Sequence, residues 1–164
     1  METFKTISGR VSVREYKNKE IEKELLKKLV DAGRRAPSAR AVEPWHFVVV
    51  SEKNVLEKLG KIAPTGSFIK NAAVCIVVFC QDTKYYLEDG CAATENILIE
   101  AEDLGLGACW VAGDKKPYAK EVAELLNAPD DVKLISLISL GWPKSRAEQI
   151  KKRTLEDVLH WEKF

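Results

Sequence analysis

The run Ala72-Ala73-Val74-Cys75-Ile76-Val77-Val78-Phe79-Cys80 carries no charged or strongly polar residue on either of its alternating faces. A half-exposed strand alternates apolar with polar, whereas a strand apolar on both faces needs cover on both sides. The run is also too short to span a bilayer. It therefore predicts a central strand, and the rest of the chain must lay helices over both faces of its sheet. At 164 residues the chain has the length for one domain with a core of that kind.

The flanking segments supply those helices. Glu2 to Ser8 reads as a short helix stopped at Gly9. Glu20 to Arg35 repeats Ile21, Leu25, Leu29 and Ala32 at helical spacing, with Leu26 and Val30 widening the stripe. Pro37 stops it, because the residue before a proline is driven out of the helical region. Trp45 to Ser51 reads as a strand and Glu52 to Ile62 as a short amphipathic helix. Pro64 to Ser67 is a turn, with one more helical turn at Phe68 to Asn71. Leu87 to Leu104 is the longest helical signal, then come a strand Ala108 to Ala112, a helix Tyr118 to Leu126 and a strand Leu134 to Leu140. This alternation predicts an α/β or α+β domain with a sheet of four or five strands. In the tail, Thr154 followed by Asp157 three residues on resembles a helix-capping pair.

The helix from Leu87 has apolar or small residues on most of its circumference, including Gly90, Cys91, Ala92, Ala93, Ile97, Leu98 and Ala101. Burial all round is easiest in a chain this small when a second subunit covers one face.

Several chemistries are poorly served. A net charge of +1 gives no global attraction to nucleic acid or an anionic membrane, so any anion site must be local. The first residues, Met1 to Lys5, lack the basic and apolar regions of a signal peptide, and the expected location is the cytoplasm. Cys75, Cys80, Cys91 and Cys109 form no CxxC pair, and with only two histidines they read as buried reduced thiols with no metal. Gly105-Leu106-Gly107 follows a helix and precedes a strand, the reverse of a dinucleotide fingerprint. His46 and His160 have no neighbours that suggest a triad.

One constellation remains. Arg10, Ser12 and Arg14 fall on one side of an extended segment while Val11 and Val13 fall on the other. Two guanidiniums around a hydroxyl are a grip for a phosphate, and also simply the solvated face of an edge strand. Ser38 and Arg40 in the loop after Pro37, and Lys152 with Arg153 near the end, add donors. With Trp45, Trp110 and Trp142 at strand ends, the set suits a ligand with a phosphate at one end and a flat ring at the other.

The motifs together resemble the nitroreductase family of flavoproteins. They are Arg10-x-Ser12-x-Arg14-x-Tyr16, Ala36-Pro37-Ser38 with Pro44-Trp45-x-Phe47-Val48-Val49-Val50, Gly105-Leu106-Gly107-x-x-Trp110 and Gly141-Trp142-Pro143, in order over residues 4–161. The resemblance implies an α+β fold with a central, mainly antiparallel sheet flanked by helices, in an intertwined homodimer. It implies a single domain over 1–164, with the tail 144–164 packing on the partner. It further implies FMN at the dimer interface, reduced by NADH or NADPH and reoxidised by a nitroaromatic, quinone or similar small acceptor in ping-pong fashion. A non-catalytic flavin-binding or regulatory dimer, or a specialised flavin chemistry, would use the same fold.

By position, Arg10, Val11, Ser12 and Arg14 would hold the phosphate and ribityl end, with Arg14 within reach of the pyrimidine edge. Pro37, Ser38, Ala39, Arg40 and Ala41 would line the flavin from the loop of the other subunit. Ala112 and Gly113 match the place where a backbone N–H faces flavin N5, with Gly113 taken as the donor. Lys152 and Arg153 match a tail basic pair at the phosphate. Many relatives carry Asn at the position of Ala41 and Gln at that of Glu43, so the loop is where this chain departs from its kin.

Overall fold

The computed structural model describes residues 2–145 and 148–164. The elements run α1 (Thr3–Gly9), α2 (Lys23–Arg34), β1 (Trp45–Val50), α3 (Lys53–Ile62), β2 (Val74–Gln81), α4 (Tyr86–Asp103), β3 (Gly107–Ala112), α5 (Ala119–Leu125) and β4 (Val132–Gly141). Short 3-10 helices at Ala39–Ala41 and Pro64–Asn71 complete the order. The four strands pair in the order β1-β2-β4-β3, every pair antiparallel, which makes the fold α+β.

The apolar run becomes β2, one of the two inner strands, and its residues Cys75 to Cys80 are almost wholly inaccessible. Ile76, Val78 and Cys80 face a core shared with α2 and α4, through Leu29, Ala93, Ile97 and Ala101. Cys75, Val77 and Phe79 face the opposite core, with Leu56 and Leu59 of α3, Ile69 and Val122 of α5. A bulge between Val78 and Phe79 shifts the register against β4. The extra residue lets Ile135 join Ile138 on the α4 side while Leu134 joins Leu137 on the other. Each such side chain contributes roughly 1.5–3 kcal/mol when fully buried.

Two boundaries differ from expectation for identifiable reasons. α2 starts at Lys23 rather than Glu20, because the Trp142 indole Nε1–H donates to the Glu20 carbonyl at 3.0 Å and the Lys17 N–H donates to the Trp142 carbonyl. The Thr154 and Asp157 pair forms its reciprocal hydrogen bonds, 3.1 and 3.3 Å, yet only a single turn follows. Part of the expected tail, at 146 and 147, lies outside the described residues.

The segment 10–16 is an arm laid across the ends of β3 and β4. The Val13 N–H donates to the Ala108 carbonyl at 2.9 Å, on the outer edge of β3. Tyr16 is buried; its Oη lies 2.6 Å from the Val13 carbonyl and 2.7 Å from Ser139 Oγ, and burial holds its phenol well above the usual range. Two glycines make room for the crossing. A Cβ at Gly107 would stand 2.6 Å from Val13 Cγ1, and one at Gly141 would stand 2.6 Å from the Tyr16 ring. Gly107→Ala and Gly141→Ala are each expected to lower stability by about 1–3 kcal/mol, the usual range for overpacking, read as a lower urea midpoint at unchanged m-value. Replacing Val13 by Ala in the Gly107→Ala background should recover part of that loss.

Candidate functional site

The arm delivers its side chains as alternation requires. Val13 packs with Tyr16 and Ala72, joined by Val11, while Arg10 is half-buried and Ser12 and Arg14 are exposed. The three polar side chains share one neighbourhood at Cys109. Burial pushes that thiol up, and the Arg14 guanidinium, the Ser12 hydroxyl and the Arg10 guanidinium all pull the other way. Arg10 has a loose contact with Glu95, 3.8 Å, whose half-exposed position makes it weak. Arg14 lies 5.7 Å from the Phe68 ring centroid and, among the described residues, pairs with no carboxylate. Two guanidiniums with little internal neutralisation flank a hydroxyl, a donor set suited to a phosphate dianion.

From that face the outer edge of β3 runs, unpaired by another strand, to Ala112. Ala108 to Ala112 spans about 13 Å at the rise of a strand, room for an extended polyol chain to lie along it. At the far end the Gly113 N–H donates to the Ile135 carbonyl at 2.9 Å, and the Asp114 N–H shares that acceptor at 3.3 Å. The expectation that Gly113 offers its N–H to flavin N5 is therefore corrected: that donor is spent inside the sheet. Gly113 is glycine for a packing reason, since a Cβ there would meet Leu134 at 2.5 Å and the Ile135 backbone at 3.0 Å. In an antiparallel ladder the next residue back turns its N–H and C=O outward. At Ala112 the outward C=O accepts from the Tyr118 hydroxyl, and its N–H turns outward at this end of the edge.

The loop after α2 is the third component. Pro37 is exposed and Ser38 and Ala39 are half-buried. Arg40, Ala41 and Glu43 all have left-handed backbone, with φ of 57°, 55° and 52°. Each such residue costs roughly 1–2 kcal/mol without glycine or asparagine. Ser38 Oγ accepts from the Glu43 N–H at 3.0 Å, and Asp89 Oδ1 of α4 accepts from the Ala39 N–H at 2.9 Å. The Ala41 and Glu43 side chains are exposed and Glu43 makes no ion pair among the described residues, so its charge is not locked against this loop.

Two connections lay outside the sequence reading. Asp89 ties the loop to the first turn of α4, and Tyr86, three residues earlier, donates to Asp114 Oδ1 at 2.8 Å beside Gly113. The Asp114 carboxylate pushes the Tyr86 phenol up to about 12. The available signal was Asp89 itself, a carboxylate beside Gly90, Ala92 and Ala93 near the start of a mostly apolar helix.

Lys152 and Arg153 are not brought to the arm. They are exposed, and among the described residues neither bonds to Arg10, Ser12 or Arg14; Arg153 instead donates to the Asp157 carbonyl. The tail leaves Ile150, Leu155, Val158, Trp161 and Phe164 in solvent, and α1 leaves Phe4 and Ile7 there too. Beyond Arg14 lies a groove of about 860 Å³ bordered by Lys17, Lys19, Lys53 and Lys70, which shares Arg14 with the arm face.

With this geometry in place, comparison with known proteins is direct. The family model described as "Putative TM nitroreductase" matches residues 2–164, and the chain belongs to the nitroreductase family. A protein of Archaeoglobus fulgidus, described as "Putative NADH dehydrogenase/NAD(P)H nitroreductase", is 35% identical over 173 residues, covering 99% of each chain. A crystal structure from Parabacteroides distasonis with the same description superposes with a TM-score of 0.94 at 33% identity, covering 100% of this chain and 99% of that one. An FMN-dependent nitroreductase of Clostridium difficile superposes with a TM-score of 0.88 at 31% identity, covering 98% and 99%.

The left-handed backbone at Ala41 can be tested alone. Asn tolerates that conformation better than Ala and a β-branched residue far worse. Ala41→Asn is expected to raise stability by about 0.5–1 kcal/mol and Ala41→Val to lower it by at least about 1 kcal/mol, measured by chemical denaturation.

Proposed function

We propose that this chain is an FMN-dependent oxidoreductase that takes electrons from NADH or NADPH and passes two of them to a nitroaromatic, a quinone or a similar small acceptor. The observation that carries the reading is the arm face of Arg10, Ser12 and Arg14 at one end of an open strand edge, with the outward Ala112 N–H at the other. FMN, when bound, supplies the two-electron chemistry, accepting reducing equivalents from the nicotinamide and releasing them to the acceptor. The names borne by the relatives support the same activity, and that of the Clostridium difficile protein supports the cofactor.

The residues divide the work as follows. Arg10 and Arg14 neutralise the phosphate, and Ser12 and the Val11 backbone steady the phosphate and ribityl end. Ala112 donates its N–H toward N5 in place of Gly113, which shapes the turn behind it. A backbone donor fixed by the sheet is already oriented when charge develops near it, so no reorganisation is needed. Pro37, Ser38, Ala39, Arg40 and Ala41 wall the flavin held by the partner subunit. The protein acts as a single-domain homodimer in the cytoplasm, with 144–164 packed on the partner. That packing covers the exposed tail side chains Ile150, Leu155, Val158, Trp161 and Phe164, and brings Lys152 and Arg153 to the phosphate.

Purified protein is expected to be yellow, to elute as a dimer of about twice 18.4 kDa, and to bleach anaerobically with NADH or NADPH and recover colour with a nitroaromatic or quinone. Binding without bleaching by either nucleotide would point to a non-catalytic flavin protein. Arg10→Ala combined with Arg14→Ala should lose FMN on dilution; a folded double variant that keeps its colour at sub-micromolar concentration removes the phosphate role.

A further inference from the structure

The loop that carries Arg40 and Ala41 is strained and mostly self-supported. Its backbone bonds run from Ala41 N–H to the Ser38 carbonyl, from Val42 N–H to the Ala39 carbonyl and from Glu43 N–H to Ser38 Oγ. Among the described residues, the one side-chain hydrogen bond from the rest of the chain to residues 37–43 is that of Asp89 to the Ala39 N–H, 2.9 Å. Asp89 is 5% exposed and pairs with no cation among the described residues. Its charge is stabilised by that N–H and by the positive end of α4, in whose first turn it sits. The carboxylate also faces inward toward Cys80: after burial, it is the next cause that pushes that thiol up to about 12.

The same turn holds a second wall. Tyr86 lies three residues before Asp89, a spacing that puts both on neighbouring positions of one helix face. Its hydroxyl fixes Asp114, whose own N–H shares the Ile135 carbonyl with Gly113. A single helical turn thus grips the strained loop through one residue and the end of β3 through another. α4 in turn is fixed to the sheet by Thr94, whose hydroxyl meets Ser136 Oγ at 2.8 Å, and to α2 by Asn96, which donates to the Ala32 carbonyl at 3.0 Å.

We propose that the first turn of α4 positions two flavin walls at once, the loop after α2 that lines the partner's flavin and the β3 end that lines this chain's own, with Asp89 and Tyr86 as positioning residues that do not themselves touch either flavin. The proposal rests on the flavin reading above. Asp89 holds Ala39, and through it the left-handed pair Arg40 and Ala41. Tyr86 holds Asp114, and through it the direction of the Ala112 N–H. A shift of either wall would misplace a ring without touching the arm that binds the phosphate, so loss of either tie should fall on turnover more than on cofactor retention.

The test compares wild type, Asp89→Ala, Asp89→Asn and Ala39→Pro as full-length protein. Ala39→Pro removes the same hydrogen bond from the other side and leaves Asp89 in place, so it decides the matter should Asp89→Ala fail to fold. The first readout is amide exchange over residues 39–43 without added FMN; the second is the absorbance of the bound flavin with kcat and KM for NADH. Asp89→Ala and Ala39→Pro are expected to exchange about tenfold faster in the loop, to shift the flavin spectrum and to lower kcat about tenfold with little change in FMN retention. Asp89→Asn keeps an acceptor oxygen and should restore most of both. Unchanged loop exchange in Asp89→Ala overturns the positioning role whatever the cofactor does, as does faster exchange with an unaltered spectrum and kcat. A wild-type protein that takes up no FMN overturns the functional reading instead, and the exchange measurement then still decides whether Asp89 holds the loop.

Discussion

The site depends on the close passage of the arm over Gly107 and Gly141. The hydrogen bond from Val13 to Ala108 and the buried Tyr16 hydroxyl beside Ser139 give that arm one register. Because side chains in an extended segment alternate, a single fixed register decides which three face the outer edge of β3. A slip of one residue would present Val11 and Val13 to the outer edge of β3 and bury a guanidinium, a costly exchange for an unpaired charge. The cationic face of the arm is thus a consequence of how an apolar face was satisfied.

β3 owes its value to its place at the end of the order β1-β2-β4-β3. One side of the strand is committed to β4 and the other side is left with donors and acceptors that no strand satisfies. The arm takes the Ala108 carbonyl and Tyr118 takes that of Ala112. What stays open is a short length of backbone between a cationic patch and the turn at Gly113. An exposed edge is a hazard for unwanted pairing. Here its length is small, and the arm and the α4 side of the molecule close on it from both ends.

Much of this was legible in the chain. The apolar run at Ala72 to Cys80, the alternation at Arg10 to Tyr16 and the long small-residue helix each carry their structural role in their own pattern. What escaped depends on partners distant in sequence. Gly107 looks like the tail of a helix stop, and only the Val13 contact explains it. Gly113 looks like a free donor at a strand end, and only the pairing with Ile135 shows that its N–H is used. Left-handed backbone at Arg40, Ala41 and Glu43 gives no signal because none is Gly or Asn, the residues that usually mark it. Asp89 resembles an ordinary acidic residue at a helix start until Ala39 is placed against it. Lys152 and Arg153 sit exposed and apart from the arm, a placement that a basic run in the sequence does not reveal.

The most direct measurement is a crystal structure of the protein grown with FMN. The expected result is a phosphate between the Arg10 and Arg14 guanidiniums and the Ser12 hydroxyl, with the ring at the far end of β3 beside the Ala112 N–H. A phosphate seated instead in the groove beyond Arg14, among Lys17, Lys53 and Lys70, would contradict it.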